Sequence, residues 1–73
     1  MKRYFKHFKG GKYELIAIGY DSEKPTQKLV VYQALYGDHK VWVRPFEMFF
    51  GYAIVNGNSV KRFTEISKEE AND

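Results

Sequence analysis

LVVYQALYGDHKVWVRPFEMFF, Leu29 to Phe50, decides the fold. It reads as strand, tight turn, strand and a short aromatic turn. Lys28 to Tyr36 is rich in β-branched and aromatic residues, which fit a pleated, half-buried surface. Gly37-Asp38-His39 is a turn. Lys40 to Arg44 is the next strand, with Val41 and Val43 on one face and Trp42 and Arg44 on the other. Val43 and Leu35 are expected in the core. Pro45 has no N–H to donate and ends the strand. The same proline suits the start of a helical turn over Phe46 to Phe50.

Working outward, KYELIAIGY, Lys12 to Tyr20, is an earlier strand. Strict alternation puts Tyr13, Leu15 and Ala17 on one face and Ile16, Ile18 and Tyr20 on the other. Asp21 to Gln27 is a polar loop in which Pro25 disfavours helix at Lys24. Ala53–Val55 and Ser59–Phe63 flank Asn56-Gly57-Asn58, and Asn-Gly is a strong hairpin signal. About five short strands with compact turns predict a mainly all-β chain. The expected form is a small antiparallel SH3-like barrel with one short helical turn, ahead of a β-sandwich fragment. Residues 1–66 are expected to form that domain, with residues 1–9 as a basic and aromatic arm. Residues 67–73 are expected to be a polar, disordered tail.

Seventy-three residues make one domain with little room for a core. Six Tyr, six Phe and one Trp compensate, because each ring can bury roughly 150–250 Å². No cysteine is present, so no disulfide can help, which favours a reducing compartment. No stretch approaches the roughly 20 apolar residues of a membrane span, and no signal-peptide run opens the chain. The expected location is cytoplasmic, without a membrane partner. Net charge is +3, with Lys2, Arg3, Lys6, Lys9 and Lys12 crowded at the start. A basic surface can meet an acidic partner, although net charge also serves solubility.

A catalytic constellation is not visible. Ser22, Ser59 and Ser67 lack a neighbouring base in sequence, and His7 and His39 are far apart. Asp38 and Glu47 read as solvated acids at strand ends rather than a catalytic pair. No metal-ligand spacing recurs. Gly10-Gly11-Lys12 lacks the rest of a phosphate loop and precedes a strand, so no cofactor is expected. The informative residues are Tyr32, Tyr36, Trp42 and Arg44, with Glu47 beside them. Arg44 can pair with Glu47, stack on Trp42 or Tyr32, or grip a ligand carboxylate or phosphate. The aromatics are a core stripe or a recognition shelf.

The pieces LVVYQALYG, VWVRPFEMF and NGNSVKRF, with HFKGGKYELIAIG before them, carry a family likeness. From about His7 to Ile66 the chain resembles the small bacterial family catalogued as domain of unknown function 1653. The resemblance implies a fold and leaves activity unassigned. Similar sequences tend to carry a His-Ser-Glu-Thr loop, an acid where Gln27 stands and an arginine where Gln33 stands.

These readings predict a non-catalytic binding module that recognises a peptide or protein through Tyr32, Tyr36, Trp42, Arg44 and Glu47. Nucleic-acid binding by the basic arm and aromatic shelf is the alternative. An accessory or small-ligand-sensing role is a third. Oligomeric state is left open by the sequence.

Overall fold

A computed structural model describes residues 1–73. Seven strands and two short helical turns follow in order: β1 (Arg3–His7), β2 (Lys12–Tyr20), β3 (Lys28–Ala34), β4 (Val41–Pro45), α1 (Phe46–Phe49), β5 (Tyr52–Val55), β6 (Asn58–Lys61), β7 (Phe63–Ile66) and α2 (Lys68–Ala71). Five strands form one antiparallel sheet in the order β4-β3-β2-β1-β7, and β5 and β6 form a separate ribbon. The mainly-β expectation holds, but the sheet is not a closed barrel. After Pro45 the chain leaves the sheet for α1, and β5 pairs only with β6. No strand remains to bridge the edges β4 and β7.

The expected arm is instead β1, an interior strand between β2 and β7. Its residue Phe5 is buried in the core. The strand hides this because Lys6 alternates outward from Phe5 and Arg3 stays in water at the strand's start, so the strand looks basic as a whole. The expected tail is likewise ordered. Ser67 caps α2, its hydroxyl accepting from the Glu70 N–H at 3.1 Å, and Ala71 is buried. Lys12 Nζ donates to the Glu70 carbonyl at 2.7 Å, which satisfies an orphan carbonyl at the end of that turn.

Strict alternation also fails in β2. The register with β3 shifts between Leu15 and Ala17, so Ile16 is the extra residue of a β-bulge. Leu15 lies opposite the buried Tyr32, and Ile18 lies opposite the buried Val30. The bulge therefore turns Ala17 away from the face that Tyr13 and Leu15 occupy and turns Ile18 toward it. The hairpin at Asn56-Gly57 forms as the sequence indicates. Asn56 (φ 51°) and Gly57 (φ 80°) both take the positive φ of a type I′ turn. The single strand expected over Ser59–Phe63 divides at Arg62 into β6 and β7.

The core lies on one face of the sheet, under α1. Phe5, Val30, Tyr32, Phe49 and Phe63 form it, with Tyr13, Leu15, Phe46 and Phe50 packed around them. The Phe49 ring stacks on Phe63 with centroids 4.0 Å apart and meets Phe5 and Tyr32 edge-on at 5.2 and 5.1 Å. A four-residue helix cannot hold itself in water, so this burial is what orders α1. Trp42 and Arg44 lie opposite Tyr32 and Val30 and thus share the core face, whereas Val43 lies opposite Val31 on the other. Val41 and Val43 are exposed, contrary to the expected core position. β4 carries apolar residues on both faces, and alternation alone does not orient such a strand.

These burials set a contrast measurable by urea denaturation. Phe49→Ala should cost about 3–5 kcal/mol. Val43→Ala should stay within about 0.5 kcal/mol, as for other surface positions. A Val43 variant as damaged as the Phe49 variant would reverse the assignment of the β4 faces.

Candidate functional site

The helical turn α1 covers one end of the inner sheet face and leaves the other end open. There lies a concave pocket of about 720 Å³. Four strands supply its polar and aromatic wall: Tyr13 from β2, Tyr32 from β3, Trp42 and Arg44 from β4, and Phe63 from β7. His7, at the end of β1, and the Gly10-Gly11 turn form part of the rim. Gly11 is in close quarters: a Cβ there would lie 3.0 Å from the Tyr13 hydroxyl and 3.1 Å from the Tyr36 ring. Any side chain at this position would press on both tyrosines.

Arg44 projects from the second inward position of β4. Its Nε donates to the Tyr32 hydroxyl at 3.2 Å, and the guanidinium carbon sits 5.8 Å from the Phe63 ring centroid. It makes no ion pair, and its terminal nitrogens have no hydrogen-bond partner within the chain. Tyr32 is thus a core residue with its hydroxyl at the pocket. Tyr36 is exposed at the mouth and hydrogen-bonds the Tyr13 hydroxyl. Trp42 is about half exposed. Burial, then the bond to Tyr36, pushes the Tyr13 hydroxyl well above the ordinary tyrosine range, so it stays protonated.

Tyr32, Tyr36, Trp42 and Arg44 therefore meet at one pocket, while Glu47 does not. Glu47 opens α1 and accepts from the Gln27 side chain at 3.2 Å, and its carboxyl is held below the ordinary range by its own backbone N–H and by Gln27. The expected Arg44–Glu47 pair is absent. Gln33 fastens the turn between β3 and β4 by donating to the His39 carbonyl at 3.0 Å. His7 and Tyr13 are site residues that sequence reading passed over. His7 sat in the supposed arm, and Tyr13 carried no mark separating it from other strand tyrosines.

His7 is held neutral. Burial lowers its basicity first, and the positive charges of Arg44, Arg62 and Lys9 add to the effect. Its Nδ1 accepts from the Lys9 backbone N–H at 3.1 Å, which leaves the proton on Nε2. The pocket thus offers the cations Lys9, Lys12 and Arg44 against one acid, Asp73, with neutral N–H and O–H donors and aromatic walls, a set suited to holding an anionic group with an apolar neighbour. No group of three or more His, Cys, Asp or Glu side chains converges as metal ligands. No helix is long and apolar enough to cross a membrane.

The family model described as protein of unknown function (DUF1653) matches residues 3–65, most of the chain. The protein belongs to that family. No curated protein and no solved structure matches it.

The lowered basicity of His7 has a definite sign. A histidine is ordinarily half-protonated near pH 6.5. The folded protein holds this proton more weakly than the unfolded chain. Stability should be full above about pH 6.5 and fall as pH drops from there through the folded-state value. NMR titration of the His7 ring should give a midpoint below that of His7 in urea. Replacing His7 with Asn should flatten the acid side of the stability curve, and an unchanged slope would show that His7 is solvated.

Proposed function

We propose that this chain is a small, non-catalytic binding module that recognises an acidic peptide segment. The observation carrying this reading is Arg44, a half-buried guanidinium that lines the pocket and is in no ion pair, although the Asp73 carboxylate stands on the same wall. Its free terminal N–H groups can take a ligand carboxylate in two parallel hydrogen bonds. Trp42, Tyr13 and Tyr36 would bury the apolar side chain beside that carboxylate, since aromatic rings offer area at little entropic cost. The Nε2–H of His7 adds a neutral donor. Glu47 stands outside this arrangement and is a positioning residue for the loop at Gln27.

Nucleic-acid binding has less support because the cations at the start of the chain are dispersed. Arg3 holds Glu65 with two hydrogen bonds of 2.9 and 3.0 Å, Lys2 lies 4.0 Å from Glu14, and Lys12 is fixed to the Glu70 carbonyl. A phosphate backbone needs a continuous basic track. A small free carboxylate or phosphate would engage the same pocket without the flanking apolar contacts.

Titration of isotope-labelled protein with a degenerate acidic peptide mixture, XEXEX, and its XQXQX counterpart checks the proposal by NMR. The acidic mixture should shift the Arg44 Nε–H and the Tyr13, Tyr36 and Trp42 rings, and the amide mixture should not. Arg44→Ala should abolish the response while staying folded, because only one neutral-partner hydrogen bond, worth about 1 kcal/mol or so, is lost. Arg44→Lys should weaken it, since an ammonium cannot reproduce the planar fork. No shift at Arg44 with the acidic mixture would overturn the reading. Steeply salt-dependent binding of single-stranded DNA or RNA that survives Arg44→Ala would favour the nucleic-acid alternative.

A further inference from the structure

We propose that the acidic peptide binds as an added strand on β4, continuing the sheet beyond its present edge. This rests on the reading of the Arg44 pocket and says how the peptide reaches it. β4 is the terminal strand of the five-stranded sheet, and only β3 pairs with it. The Ala34 N–H donates to the Lys40 carbonyl at 2.9 Å. Antiparallel pairing alternates, so Trp42 and Arg44 turn their backbone groups toward β3. Val41 and Val43 must then turn theirs away, which leaves two N–H and two C=O groups aimed at open solvent. Trp42 and both valines are roughly half exposed, so nothing covers this edge.

An uncovered edge of this kind attracts another strand. Its side chains say which strand. Lys40, Trp42 and Arg44 alternate on the pocket side, and Lys40 Nζ lies 6.0 Å from the Trp42 ring centroid. Val41 and Val43 occupy the opposite side. There is no acid between His39 and Phe46. A second copy pairing antiparallel about Trp42 would set Lys40 against Arg44 in both directions, and like charges directly opposite one another oppose pairing. An extended segment with acid, apolar and acid side chains at every second position meets the same edge with opposite charges at both ends. Its apolar residue lies over Trp42 and its first acid reaches the Arg44 guanidinium. The residues between them pack beside Val41 and Val43, so small β-branched side chains suit those places. Main-chain bonds give such a complex its affinity, and the alternate side chains give it selectivity.

The probe is the synthetic pentapeptide EVLVE, acetylated and amidated at its ends, against the whole chain. On binding, the Val41 and Val43 amides should gain protection from hydrogen exchange. In the added strand the two valine N–H groups of the peptide face β4, and the leucine N–H faces solvent. Methylating both valine nitrogens should weaken binding about tenfold or more, as expected for two lost hydrogen bonds. Methylating the leucine nitrogen should leave affinity unchanged. Equal effects of the two methylations, or unprotected Val41 and Val43 amides while EVLVE still shifts Arg44, would overturn the added strand and spare the pocket. Failure of EVLVE to bind where the XEXEX mixture still moves Arg44 would do the same. Silence of both peptides would remove both readings. Protection of the same amides without peptide, growing with protein concentration, would assign the edge to a second copy and overturn the proposal.

Discussion

The stacking of Phe49 on Phe63 is the contact on which the rest of this structure depends. Phe63 belongs to the edge strand β7, Phe5 to its neighbour β1, Tyr32 to β3 near the other edge, and Phe49 to a turn outside the sheet. One ring touches all of them. A sheet this small cannot bury both its faces, and α1 is too short to persist alone. Inserting Phe49 solves both difficulties, because the ring covers the sheet and the sheet orders the turn. Pro45 enables it by ending β4 and directing the chain across the inner face.

The size of that plug also determines where the pocket lies. α1 shields the sheet near Val30 and Phe5, and the region around Tyr13, Trp42 and Arg44 stays uncovered. A guanidinium placed on an otherwise apolar face must find partners or water. Tyr32 supplies one partner from within the core, which ties the orientation of Arg44 to the same aromatic cluster. Core packing and the character of the site are thus one problem, and Tyr32 belongs to both.

Much of this was legible from residue order. The strands from Lys28 to Arg44, the turn begun by Pro45 and the Asn56-Gly57 hairpin carry local signals strong enough to read directly. The meeting of Tyr32, Tyr36, Trp42 and Arg44 followed from their alternation and spacing. What escaped depends on contacts distant in sequence. β1 looked like an arm because β7, one of its two partners, comes near the far end of the chain, and lysines mask Phe5. The Arg44–Glu47 pairing failed because Glu47 rides on α1 and faces the Gln27 loop. The faces of β4 could not be oriented from a run such as Val-Trp-Val-Arg, in which either side is plausible core.

The bulge at Ile16 bears on how the length of this chain can change. Every other residue of β2 is committed to a partner, so losing one would force the remainder of the strand onto the wrong face or out of register. Ile16 is the spare. Leu15 and Ala17 already point to opposite faces, and joining them directly would restore an uninterrupted ladder with each remaining partner kept. The loss would be one of curvature, because the bulge bends and twists the strand. Within β2, single-residue deletions should therefore accumulate at this position, and length variation elsewhere should be confined to the exposed Asp21–Gln27 loop.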